Sequence, residues 1–180
     1  MSKKVLIVSS SLRNGSNSEI LAREAEAGAR EAGNEVEYIS LKDKDLNFCR
    51  GCLACQKTGK CVIRDDMDDM IGKVCAAESI IFATPIYYYE LSGQLKTFLD
   101  RTNPLYIEDC KFRDIYLITT SAEAGEHIPE RAVNGLKGWI DCFPKAQFCG
   151  LVNGGGNEAP KDAESHQDAM QAAYEMGRNA

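Results

Sequence analysis

Three apolar runs, Val5 to Val8, Ser79 to Ala83 and Ile115 to Ile118, most constrain what this chain can become. Each is short and rich in β-branched residues, which suits a strand covered on both faces in a parallel sheet. Val36-Glu37-Tyr38-Ile39 alternates like a further strand, and Gln147 to Leu151 reads as the last. Helical patterns lie between them. One carries Ile20, Leu21 and Ala25; the next opens at Asp65 and Asp66 with Met67, Met70, Ile71 and Val74 on one side; another spans about Leu91 to Thr102. Pro129 to Phe143 follows, with Val133, Leu136, Trp139 and Ile140 facing inward, and after a turn at Gly154 to Gly156 a polar helix runs from Lys161 onward. This alternation predicts an α/β fold, a doubly wound five-stranded parallel sheet with helices on both faces. Residues 1–180 fit a single domain with a Cys-rich insertion at about 45–63.

A sheet of this kind binds ligands beyond the carboxyl ends of its strands. The loops expected on that edge have unusual compositions. After the first strand come Ser9, Ser10 and Ser11, then Arg13, Asn14, Gly15, Ser16, Asn17 and Ser18, emptying into a helix N-terminus. Hydroxyls, backbone N–H groups, one arginine and the positive end of a helix dipole together suit a terminal monophosphate. The glycines of a dinucleotide loop are absent, as is the lysine of a P-loop. After the third strand, Thr84-Pro85 leads to Tyr87, Tyr88 and Tyr89; after the fourth, Thr119 to Glu126 is small, polar and acidic. A phosphate cradle beside an aromatic loop suits a flat heteroaromatic ring on a phosphorylated tail.

Three motifs together resemble the flavodoxin-like NAD(P)H-dependent FMN reductases, in particular the iron-sulfur flavoprotein branch. They are Ser9 to Ser18; Thr84-Pro85-Ile86-Tyr87 with Ser92-Gly93-Gln94-Leu95-Lys96 and Asp100-Arg101; and the cysteine segment with Asp65-Asp66-Met67. The resemblance implies strand order 2-1-3-4-5. It implies that Ser11, Arg13, Ser16, Asn17 and Ser18 hold the FMN phosphate. It further implies that Pro85, Ile86, Tyr87 and Tyr88 line the isoalloxazine, and that Thr120, Ser121 and Ala122 reach its pyrimidine end. NADPH or NADH would then donate hydride to the flavin, which passes electrons to a small-molecule acceptor such as a quinone, free flavin or azo compound, in a homodimer or tetramer. No side chain is expected to act as a catalytic acid or base. Asp100 and Arg101 read as a structural ion pair.

Cys49, Cys52, Cys55 and Cys61 form Cys-x-x-Cys-x-x-Cys followed by five residues and a fourth cysteine. Thiolates hold iron-sulfur clusters and zinc alike, and three cysteines spaced by two resemble ferredoxin runs. The resemblance implies a [4Fe-4S] cluster on these four, although cluster-free relatives carry similar cysteines. With a cluster, the alternative function is a ferredoxin-linked electron carrier without turnover of its own. Cys75, Cys110, Cys142 and Cys149 read as buried, inert side chains. A net charge of −6 argues against a nucleic-acid surface. No apolar stretch has the length of a membrane span or the form of a leader, so no membrane partner and a cytoplasmic location are expected.

Overall fold

The computed structural model describes residues 2–180. Five long strands, β1 (Lys4–Ser9), β2 (Glu35–Ser40), β3 (Ser79–Tyr87), β4 (Asp114–Ser121) and β5 (Gln147–Gly155), pair in parallel in the order 2-1-3-4-5. A two-residue strand, Glu90–Leu91, folds back antiparallel on the end of β3. The long helices are α1 (Asn17–Glu31), α2 (Met67–Ala76), α3 (Gly93–Asp100), α4 (Glu130–Ile140) and α5 (Gln167–Asn179).

The continuous apolar runs have a direct cause. Val5 and Ile7 of β1 face one core with Ile81, Ala83, Ile118 and the helices α1 and α5. Leu6 and Val8, alternating with them, face a second core with Ile80, Phe82, Leu117 and the helices α2, α3 and α4. Since successive strand residues point to opposite faces, a sheet with helices on both sides must be apolar at every position. The second core carries an aromatic cluster in which Trp139 stacks on Phe112 and meets Phe82 edge-on.

Several boundaries differ from the sequence reading. The third helix begins at Gly93, because Ser92 caps it and Tyr88-Tyr89 turn the chain into a hairpin first. β5 continues through Gly155 rather than stopping at Leu151. Its late glycine has a reason: a Cβ on Gly154 would stand 2.8 Å from Leu21 Cδ1 of α1. Lys161 stands before a short 3-10 turn, Asp162–Ser165, and α5 starts only at Gln167. In α4, Ala132, Leu136 and Ile140 are the fully buried positions, while Val133 and Trp139 are only partly covered.

The cysteines outside the compact segment are not the buried thiols expected. Cys75 and Cys110 form a disulfide, and Cys142 and Cys149 are exposed. The last turn of α2 runs beside the approach to β4, where Lys111 N–H donates to Cys75 O at 2.8 Å. A pairing 35 residues apart leaves no local trace in sequence.

α1 and α5 pack backbone against backbone. A Cβ on Gly177 would stand 1.8 Å from Ala25 O, and one on Gly28 2.0 Å from Tyr174 O. Replacing Gly177 by alanine is therefore expected to cost about 3 kcal/mol or more, because two backbones would have to part. Urea unfolding of G177A beside the parent chain measures this.

Candidate functional site

The first loop is anchored before it reaches any ligand. Ser9 of β1 pairs with Ala83 of β3, and Ser10 donates to Ala83 O from both N–H (2.9 Å) and Oγ (3.1 Å). Ser92 Oγ, at the start of α3, donates to Ser10 Oγ at 2.9 Å. Ser16 is the N-cap of α1, its Oγ accepting from Glu19 N–H at 3.1 Å. The cap leaves the other first-turn N–H groups of a fifteen-residue helix facing outward beside the loop hydroxyls.

The loops after β3 and β4 stand beside it. Between the three lies a hollow of about 220 Å³. Ser11, Arg13, Ser16, Asn17 and Ser18 wall one end; Pro85, Ile86 and Tyr87, with Thr120, Ser121 and Ala122, wall the rest. Tyr88 stands apart from it. It is 96% exposed at the tip of the hairpin, with φ +52° followed by +67° at Tyr89, so its ring is carried out into solvent. Two side-chain-bearing residues in left-handed conformation form the kind of backbone that neighbouring contacts must hold. One such contact is present: Tyr89 Oη donates to Glu123 Oε2 at 3.0 Å, joining the hairpin to the loop after β4.

The sequence reading missed a fourth wall. Asn157 and Glu158, just past β5, also line the hollow. They begin a strap laid over the first loop. Arg13 Nη1 donates to Glu158 O at 2.8 Å, and Lys161 N–H donates to Gly15 O at 3.1 Å. Asn17 Nδ2 donates to Ala159 O at 2.9 Å while its Oδ1 accepts from Ala163 N–H at 3.1 Å. The Asn17 amide thus holds the strap at both ends, leaving the nearby hydroxyls as the freer donors. The glycine turn after β5, ending on the same sheet edge as the other loops, is the sequence signal that could have flagged it.

The donor set suits FMN. Three hydroxyls, a guanidinium and a helix N-terminus match a phosphate, and Asn157 Oδ1 is a buried acceptor with no partner of its own. A model for the NADPH-dependent FMN reductases matches residues 3–152. The chain belongs to that family. An iron-sulfur flavoprotein of Methanocaldococcus jannaschii is 45% identical over 104 residues, covering 58% of this chain and 54% of the relative. Another from Methanosarcina thermophila is 36% identical over 99 residues, covering 55% and 52%. The match spans about half the length of these curated relatives. A Bacillus subtilis protein, YwqN, named provisionally as an NAD(P)H-dependent FMN-containing oxidoreductase, is 27% identical over 96% of both chains. Among solved structures, an NAD(P)H:quinone oxidoreductase from Methanothermobacter marburgensis superposes with TM-score 0.75 at 14% identity, covering 99% of this chain and 97% of its own. At that identity it speaks for the shared fold alone.

The cysteine segment of this FMN reductase relative is clamped at its two ends by one residue. Arg101, at the end of α3, does not pair with Asp100, which instead meets Lys96. Its Nη1 donates to Asp65 Oδ2 at 2.5 Å and to Asn47 O at 2.8 Å, and its Nη2 donates to Asp65 Oδ1 at 2.9 Å. Both side chains are fully buried, so the segment between Asn47 and Asp65 hangs from a dry, bidentate ion pair. Within it, Cys55 is buried in a short turn, Cys49 and Cys61 are half-buried and Cys52 is exposed. Four thiols have the right chemistry for a cluster. Among the described residues no three cysteine, histidine or acidic side chains are arranged to hold a metal ion, although Cys61, Cys49 and Cys52 are all near enough to add to the effect of burial in pushing the Cys55 thiol up.

Burial opposes charge on Asp65, but hydrogen bonds from Arg101 and Asn47 outweigh it and hold the carboxyl at about 2, against 3.8 unperturbed. A depressed carboxyl stabilises the fold fully above its unfolded value and loses that contribution as pH falls toward 2, here about 2 kcal/mol. D65N should cost about 3 kcal/mol or more at neutral pH by stranding the Arg101 charge. Urea melts taken from neutral pH down to about pH 2 should show a shallower acid loss in D65N than in the parent.

Proposed function

We propose that this chain is an FMN-dependent oxidoreductase that takes electrons from NADPH or NADH and passes them to a small-molecule acceptor, such as a quinone, free flavin or azo compound. One observation supports this above all. An anion-suited cradle at the head of α1 and the Pro85–Tyr87 loop open into the same hollow, as a flavin on a phosphorylated tail requires. FMN, when bound, supplies the capacity to accept a hydride and release electrons.

The chain's own residues bind and orient. Ser11, Arg13, Ser16 and Ser18, with the first-turn N–H groups of α1, neutralise the phosphate, and Asn17 contributes by fixing the strap. Pro85, Ile86 and Tyr87 flank the ring on one side, and Thr120, Ser121 and Ala122 meet its pyrimidine end. Tyr88, exposed at the hairpin tip, is placed to meet an incoming nicotinamide or acceptor, or a second subunit in a homodimer or tetramer that completes the open face. A second reading, a ferredoxin-linked carrier holding a [4Fe-4S] cluster on Cys49, Cys52, Cys55 and Cys61, draws support from those four thiols and from the names of the relatives.

Anaerobic mixing separates the two readings. Rapid bleaching of the FMN-loaded protein by NADPH or NADH supports the reductase, whereas bleaching only by reduced ferredoxin supports the carrier. The cradle has its own test. In S16D the new carboxylate can still cap α1, so stability should change by less than about 1 kcal/mol. The same charge set against a phosphate should weaken FMN binding about a hundredfold, read by flavin fluorescence titration. Unchanged FMN affinity in S16D would remove the phosphate assignment.

A further inference from the structure

We propose that Asn157 reads the polyol of the flavin, its side-chain carbonyl accepting a hydrogen bond from a ribityl hydroxyl; this rests on the FMN reading above. Among the described residues, four buried side-chain polar atoms lack a partner: Tyr38 Oη, Ser79 Oγ, Arg101 Nε and Asn157 Oδ1. Of these, only Asn157 belongs to the wall of the hollow. A buried carbonyl without a donor is a net cost to the fold, and such groups in native proteins call for a reason.

The orientation of the amide is decided by its other end. Nδ2 donates to Gly154 O at 2.8 Å and approaches Gly155 O at 3.5 Å. Turning the amide over would press Oδ1 against two carbonyl oxygens, so Oδ1 has to be the atom left over. Its position along the site follows from its neighbours. Asn157 N–H donates to Ser121 O at 2.8 Å, in the loop after β4, while the carbonyl of the next residue, Glu158, takes the Arg13 guanidinium at 2.8 Å. Asn157 therefore stands between the loop assigned to the pyrimidine and the loop assigned to the phosphate. What lies between those two ends of the cofactor is the ribityl chain. A phosphate dianion offers no donor to an orphan acceptor and a methylated benzene edge offers none either; the pyrimidine offers one, its N3–H, at the end met by Thr120, Ser121 and Ala122, whereas the polyol between the two ends carries several.

The test compares FMN with a flavin phosphate whose ribityl hydroxyls are replaced by hydrogen, titrated into the apoprotein and followed by flavin fluorescence. The parent chain should prefer FMN. In N157L, which keeps the branching of asparagine but has neither its carbonyl nor its amide donor, that preference should shrink about tenfold, the loss of one hydrogen bond to the ligand. N157A provides a second readout if leucine disturbs the strap, and thermal melting identifies any variant that fails to fold. Full retention of the parent preference in a folded N157L or N157A would overturn the proposal, as would equal affinity of the parent chain for the two flavins. A parent chain that binds neither flavin would overturn the FMN reading itself, a different and separable failure.

Discussion

The upper edge of the molecule depends on β1 and β3 ending side by side. Ser9 lies opposite Ala83, and the next residue, Ser10, directs both its N–H and its hydroxyl to Ala83 O. Ser92 then ties α3 to Ser10. These few buried contacts set the phosphate-type loop, the tyrosine hairpin and the head of α3 in one frame, sealed from water and hence strong for their number. Further along the loop, Ser11 and Ser16 serve the backbone only as acceptors, from Arg13 N–H and Glu19 N–H, which leaves their hydroxyl protons for a ligand.

Around that frame the chain uses one device twice. Distant segments are fastened across the site by single side chains whose polar groups serve both ends. The Asn17 amide holds the strap after β5 through Ala159 and Ala163, closing the hollow from a fourth side. The Arg101 guanidinium holds the cysteine segment through Asn47 and Asp65. In each case a short rigid group beside a helix end does what a longer loop could not, fixing a segment at little conformational cost.

How much of this can be read from the chain follows from the range of the forces involved. Val5 to Val8 announces a strand buried on both faces because every position in it must be apolar, and that pattern is complete within four residues. The serine-rich loop is equally local: hydroxyls, arginine and helix start are consecutive, so its affinity for an anion is legible before any folding is considered. The tyrosine loop was only half legible. Its place at the site followed from the strand before it, but the left-handed turn that directs Tyr88 outward arises from the hairpin formed with Glu90–Leu91.

The sequence by itself determined the alternation of strands and helices and the two loops that give the site its chemical character. Those features come from periodicity and composition over a few neighbours. Only the tertiary structure decided that Arg101 seeks Asp65 rather than Asp100, that Cys75 reaches Cys110, and that the strap after Asn157 lies over a loop some 140 residues earlier in the chain. Such pairings depend on how whole elements come to rest against one another. A side chain carries no local record of a partner that the packing of the sheet, and not the chain's own order, brings into reach.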